Sequence, residues 1–172
     1  MKYLLLMRHG KSESNDPGKE DIDRALTTHG LNDSISIANW IKENALLPEI
    51  ALISSARRTQ ETWDAMRRVI GKNTSEVKQD ELYLASPSDI LEQISNIDDA
   101  VKIVLLIGHN PGIESLAMHL IIGDSLDITQ EKLNEGFSAG ALAAFELNNE
   151  NWTDIKSTNT KLIKFIRPRE LE

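Results

Sequence analysis

The apolar residues of this chain fall into short unbroken runs separated by stretches of helical spacing. Tyr3 to Met7, Ile50 to Ser54 and Ile103 to Ile107 are nearly continuous apolar runs, the last the strongest. Runs of this length without polar alternation predict strands covered on both faces. Two later segments, ALAAFEL (141–147) and KLIKFI (161–166), predict two more strands. Between the runs, Leu31, Ile35, Ala38, Ile41 and Ala45 recur at helical spacing and predict a helix over 31–45, closed by Pro48. Trp63, Met66 and Ile70 mark one face of a helix over 59–70, with Gly71 as its stop signal. Ser86 as N-cap and Pro87 at the first helical position open a third helix, and residues 113–122 form a fourth. Residues 8–27 have neither period and are expected to form a long loop. Strands alternating with helices predict a three-layer α/β/α sandwich around a largely parallel sheet, one domain over residues 1–172.

Three of the predicted strands end in unusual polar residues. The first gives Arg8-His9-Gly10, the second Ser54-Ser55-Ala56-Arg57-Arg58, and the third Gly108-His109-Asn110-Pro111-Gly112. Open α/β sheets bind ligands outside the carboxyl ends of their strands. In a parallel sheet these three segments share one edge, where two histidines and two or three arginines converge with no acid in the same motifs. A dianionic phosphoryl group suits that cluster. Arginine offers planar paired donors that match phosphate oxygens. The turn after Ile107 leads into a helix N-terminus, whose free N–H groups favour an anion. A neutral imidazole is a competent nucleophile toward phosphorus, and phosphoryl transfer asks mainly for alignment and charge stabilisation.

Composition narrows the partners. The 172-residue chain carries a net charge of −8, with 40% hydrophobic and 27% charged residues and no cysteine. The negative surface disfavours nucleic acid and anionic membranes as general partners. Lack of cysteine excludes disulfides, thiolate metal sites and a cysteine nucleophile. The opening MKYLLLM is too short for a signal-peptide core or a membrane span, so a cytoplasmic location is expected. The histidines lack H-x-x-x-H spacing, and neither G-x-G-x-x-G nor a P-loop motif occurs, so neither metal nor cofactor is expected.

The segments LLLMRHGKSESN, DRALTTHG, SSARRTQET and LLIGHNPG, in this order, resemble the histidine phosphatase superfamily, a phosphoglycerate mutase-like fold. The resemblance is to its small SixA-type phosphohistidine phosphatase branch, and it spans nearly the whole chain. It implies that His9 is the residue phosphorylated during turnover, that Arg8 and Arg58 bind the phosphoryl group, and that His109 is the second histidine of the pocket. It further implies that Glu81, in DELY, stands near the place of a proton-donating acid in larger members. Asn15 stands where related mutases contact phosphate. Asn110 and Arg57 are taken as additional substrate contacts, although turn formation accounts equally for Asn15 and Asn110, and a solvated helix start for Arg57.

The implied activity is phosphoryl hydrolysis through a phosphohistidine enzyme, acting on a phosphohistidine-bearing protein partner as a monomer. A phosphatase for small phosphate esters is the alternative. A mutase is disfavoured because the short segment between Arg58 and His109 holds no large lid. A non-catalytic phosphate-binding module has no need to keep the nucleophile. His29 is expected at the surface, and His119, in ESLAMHLII, in the core or at its boundary.

Overall fold

The computed structural model describes residues 1–121 and 128–172. Among the described residues, six strands form one sheet in the order β3-β2-β4-β1-β5-β6. They are β1 (Lys2–Arg8), β2 (Ile50–Ser54), β3 (Ser75–Gln79), β4 (Ile103–Gly108), β5 (Leu142–Leu147) and β6 (Thr160–Ile166). Helices α1 (Thr28–Glu43), α2 (Arg57–Ile70), α3 (Pro87–Ser95), α4 (Gly112–Leu120) and α5 (Ile128–Asn134) complete the described elements.

The continuous apolar runs are explained by two-sided burial. In the central strands Leu4, Leu6, Leu52, Val104 and Leu106 face one layer, where Ile90, Ile94, Leu116 and Leu120 of α3 and α4 pack. Leu5, Met7, Ala51, Ile53, Leu105 and Ile107 face the other, against Ile37, Ile41, Trp63 and Met66 of α1 and α2. Each such side chain removed from water contributes about 1.5–3 kcal/mol before its entropy cost. β1, β4, β2 and β3 run parallel, so the predicted three-layer sandwich with a largely parallel sheet is the fold observed.

β5 and β6 pair antiparallel on the β1 side, which the sequence pattern did not indicate. Strand direction is set by how the connections cross, and no local pattern encodes it. β3 and α5 were not expected. SEVKQ has almost no apolar content, and this edge strand is held by backbone pairing to β2, with Val77 opposite Leu52. The predicted helix over 31–45 begins earlier and ends sooner. Thr27 caps it, its side chain accepting from Gly30 N, while Leu31 is exposed and Ala45 lies past the helix at φ +56°. Its buried face is Ser34, Ile37, Ala38 and Ile41. Ser86 caps α3 as expected, with Asp89 closing a capping box. Of the helix expected over 113–122, Ile122 lies outside the described residues, and His119 is exposed rather than in the core or at its boundary. The loop 8–27 contains a bridge between Ser12 and Leu26 and a 3-10 turn over Asp21–Asp23. Among the described residues no helix is long and apolar enough to cross a membrane.

Candidate active site

β2, β4 and β1 are parallel neighbours, so their carboxyl ends lie along one edge. His9 follows β1, His109 follows β4, Ser54 ends β2, and Arg58 sits in the first turn of α2. The backbone of His9 is pinned on both sides: its N–H donates to Gly108 O at 3.1 Å, and its carbonyl accepts from Gly140 N at 2.8 Å. Behind it, two glycines let α1 approach closely. A Cβ at Gly10 would fall 2.7 Å from Gly30 O, and one at Gly30 would fall 2.3 Å from Lys11 O. The Gly10 N–H also donates to Thr62 Oγ1 at 3.0 Å, which ties the strand end to α2.

The imidazole rings of His9 and His109 lie 5.3 Å apart between centroids. The Arg58 guanidinium, 2% exposed, stands between them. Its Nε donates to His9 Nε2 at 3.2 Å and its Nη2 to His109 Nδ1 at 3.2 Å. Guanidinium nitrogens only donate, so both of these ring nitrogens must be acceptors. The remaining proton on each neutral ring is thereby assigned. His9 Nδ1–H donates to Gly10 O at 2.7 Å, and His109 Nε2–H to Ser54 Oγ at 2.7 Å. Burial lowers His9 from the ordinary histidine value to about 4, with Arg58 and Arg8 adding to the shift against the bond to Gly10 O. Burial likewise lowers His109 to about 3, helped by His9 and Arg58. Both rings are therefore neutral near pH 7, and Nε2 of His9 keeps its lone pair directed at the cluster.

Asp21 and Tyr83 also belong to this cluster and were not singled out from the sequence. Arg58 Nη1 donates to Asp21 O at 2.7 Å and Nη2 to Asp21 Oδ2 at 3.1 Å. Tyr83 O–H donates to the same carboxylate oxygen at 2.5 Å, and its ring meets His109 edge-on at 5.5 Å. The Tyr83 hydrogen bond, followed by Arg24 and Arg58, holds Asp21 at about 2 against the cost of its burial. The acid absent from the strand-end motifs thus arrives from the loop between them. Its position in that loop carries no periodic or spacing signal.

Arg8 shares the edge but faces differently. Its Nη1 donates to Phe137 O at 3.0 Å, and its buried Nε has no hydrogen-bond partner among the described residues. Asn110 stands beside it, its Nδ2 donating to Glu114 Oε2 at 2.9 Å and to Phe137 O at 3.0 Å. Arg57 points away, exposed and paired with Glu61 Oε1 at 2.7 Å. Asn15 and Glu81 are exposed, and neither hydrogen-bonds to any described residue. His29 is at the surface, as expected, paired with Asp33 at 3.2 Å. The structure thus gathers His9, Arg58 and His109 into one hydrogen-bonded unit, with Arg8 and Asn110 alongside.

The chain is similar to known proteins in sequence and in fold. The family description "Histidine phosphatase superfamily (branch 1)" matches residues 4–82. The phosphohistidine phosphatase SixA of Escherichia coli (strain K12) is 26% identical over 172 residues, covering 95% of this chain and 99% of its own. A SixA-type structure from Nakamurella multipartitia superposes with a TM-score of 0.84 at 25% identity, covering 97% of this chain and 96% of its own. One from Agrobacterium tumefaciens gives 0.80 at 29% identity, covering 97% and 98%. In the family match over residues 4–82 and in the fold of the whole chain, this protein is thus similar to histidine phosphatases of the SixA type.

Proposed function

We propose that this protein is a phosphatase that hydrolyses phosphohistidine in a protein partner through a phosphohistidine at its own His9. The observation that carries the reading is the Arg58 guanidinium donating to both imidazoles at once. It orients His9 Nε2 toward the space where a phosphoryl group meets the cluster, and supplies donors for the oxygens that gain charge. In the first step His9 Nε2 forms a bond to phosphorus as the substrate's P–N bond breaks, and the departing imidazole nitrogen takes up a proton from solvent water. In the second, water bonds to phosphorus as the His9–P bond breaks, releasing phosphate and restoring the neutral ring. Arg58 and Arg8 stabilise the equatorial oxygens in both steps, while His109, whose one N–H is held by Ser54 Oγ, positions Arg58.

The choice of phosphohistidine over an alcohol ester rests on the acids at hand. Glu81 is exposed and makes no hydrogen bond among the described residues. Asp21, the carboxylate bonded to Arg58, is held at about 2 and is a poor proton donor at neutral pH. An alkoxide leaving group needs a proton far more than an imidazole does. The likeness to SixA-type structures supports the same choice.

The test is to incubate the protein with a phosphohistidine-bearing protein and, separately, with an aryl phosphate, quench rapidly, and map the label. The expected result is an acid-labile phosphoryl group on His9, faster turnover with the phosphohistidine protein, and loss of both label and turnover in H9A. Normal hydrolysis by H9A would end this mechanism.

A further inference from the structure

We propose that the cavity beside Arg8 is a second anion-binding subsite, one that takes an acidic side chain flanking the phosphohistidine of the substrate protein. The cavity has a volume of about 330 Å³, and Arg8, Asn110, Phe137, Arg167 and Arg169 line it together with Glu114 and Glu135. The subsite rests on the phosphatase reading given above, because its place is measured from a phosphohistidine seated at His9, the residue after Arg8.

The sheet register explains why these arginines meet. Met7 of β1 pairs with Leu142 of β5, and Leu142 pairs with Ile166 of β6. Two antiparallel steps make β6 parallel to β1. The residues after Ile166 therefore emerge at the same edge as Arg8, two strands away. Strand spacing puts that separation at about 10 Å, roughly three residues of extended peptide. A carboxylate about three positions from a phosphohistidine seated at His9 reaches these guanidiniums.

The cavity has donor capacity to offer. Its two carboxylates are already engaged, Glu114 by Asn110 Nδ2 at 2.9 Å and Glu135 by Arg167 Nη1 at 3.0 Å. Arg167 is 5% exposed, also donates to Lys132 O, and stacks its guanidinium on Phe165 at 5.4 Å. Its Nε, like that of Arg8, is buried without a partner among the described residues. Arg169 at the rim is exposed and makes no hydrogen bond or ion pair with any described residue. A planar free guanidinium over a floor of buried arginine suits a carboxylate. This local positive lining is set in a chain of net charge −8, so it acts on a group brought close and not on distant anions.

The experiment compares kcat/KM for phosphohistidine peptides carrying Asp or Asn three positions from the phosphohistidine, on either side, with phosphoramidate as the small reference substrate. The wild-type protein is expected to prefer the Asp peptide on one side about three- to fivefold at low salt, the scale of an exposed ion pair, and less at high salt. R169A is expected to abolish that preference, and R169E to invert it. Hydrolysis of all peptides with no charge preference, or an equal loss on both peptides and phosphoramidate in R169A, overturns the subsite while leaving the phosphatase reading intact. Failure of the wild-type protein to hydrolyse any of these substrates overturns both.

Discussion

Two arginines stand at the same sheet edge and are held in opposite ways. At the α2 corner Arg58 has every guanidinium nitrogen engaged, by His9, by His109 and twice by Asp21. At the β1 corner the Arg8 guanidinium makes one hydrogen bond among the described residues, to Phe137 O, and leaves Nε buried and unpaired there. The first is an architectural arginine that fixes the tautomers of two rings. The second keeps donor capacity in reserve beside a cavity. Preorganisation and availability are thus divided between two residues, and the phosphoryl site proposed above calls for both.

The largest effect separates the two corners. Replacing Arg58 by alanine strips the acceptors His9 Nε2, His109 Nδ1 and Asp21 of their shared donor. We expect a loss of about 10³-fold in kcat/KM together with about 2 kcal/mol of stability, since buried ring nitrogens lose their hydrogen-bond donor. Replacing Arg8 by alanine is expected to cost about 10²-fold in kcat/KM but about 1 kcal/mol of stability or less. Urea unfolding paired with phosphoramidate kinetics measures both, and equal stability losses would erase the contrast.

A smaller effect follows from the neutral rings. Both histidines have folded-state values far below the unfolded 6.5, at about 4 and about 3. The unfolded chain then binds more protons than the folded one between pH 6.5 and these values. Their contribution to stability is complete above pH 6.5 and is lost as pH falls through about 4 to about 3. Unfolding free energies measured from pH 7 to pH 5, where most carboxylates scarcely titrate, should fall with acid, and replacing both histidines by asparagine should flatten that slope. An unchanged slope in the double variant would place the acid sensitivity elsewhere.

The smallest effect concerns Glu81. Because it is exposed and unbonded, Glu81→Gln is expected to change kcat/KM by less than about twofold on both aryl phosphate and a phosphohistidine peptide, the scale of an ordinary surface substitution. A selective loss on aryl phosphate would restore it as a proton donor.

Much of this was legible in the chain, for identifiable reasons. Unbroken runs such as Leu4 to Met7 and Val104 to Ile107 declare two-sided burial, because a strand between two helical layers has no solvent face. Polar residues placed just where those runs stop mark the sheet edge, which brought His9, Arg8, Arg58 and His109 into view. Ser86 and Pro87 announced α3 through capping chemistry that acts within four residues. By contrast β3 has no apolar pattern to read, and Leu31 matched a helical spacing that the packing of α1 did not use.

The sequence by itself determined the alternation of strands and helices and the residue types offered at the strand ends, because burial and capping act over a few neighbouring positions. Tertiary structure alone decided which nitrogen of each ring carries its proton, because that depends on Arg58 reaching across from another element. It alone brought Asp21 and Tyr83 to the site from segments without a pattern. It also turned β6 parallel to β1, so that Arg167 and Arg169 emerge beside Arg8. These are relations between distant segments, fixed by sheet register and chain crossing, and no local run of residues encodes them.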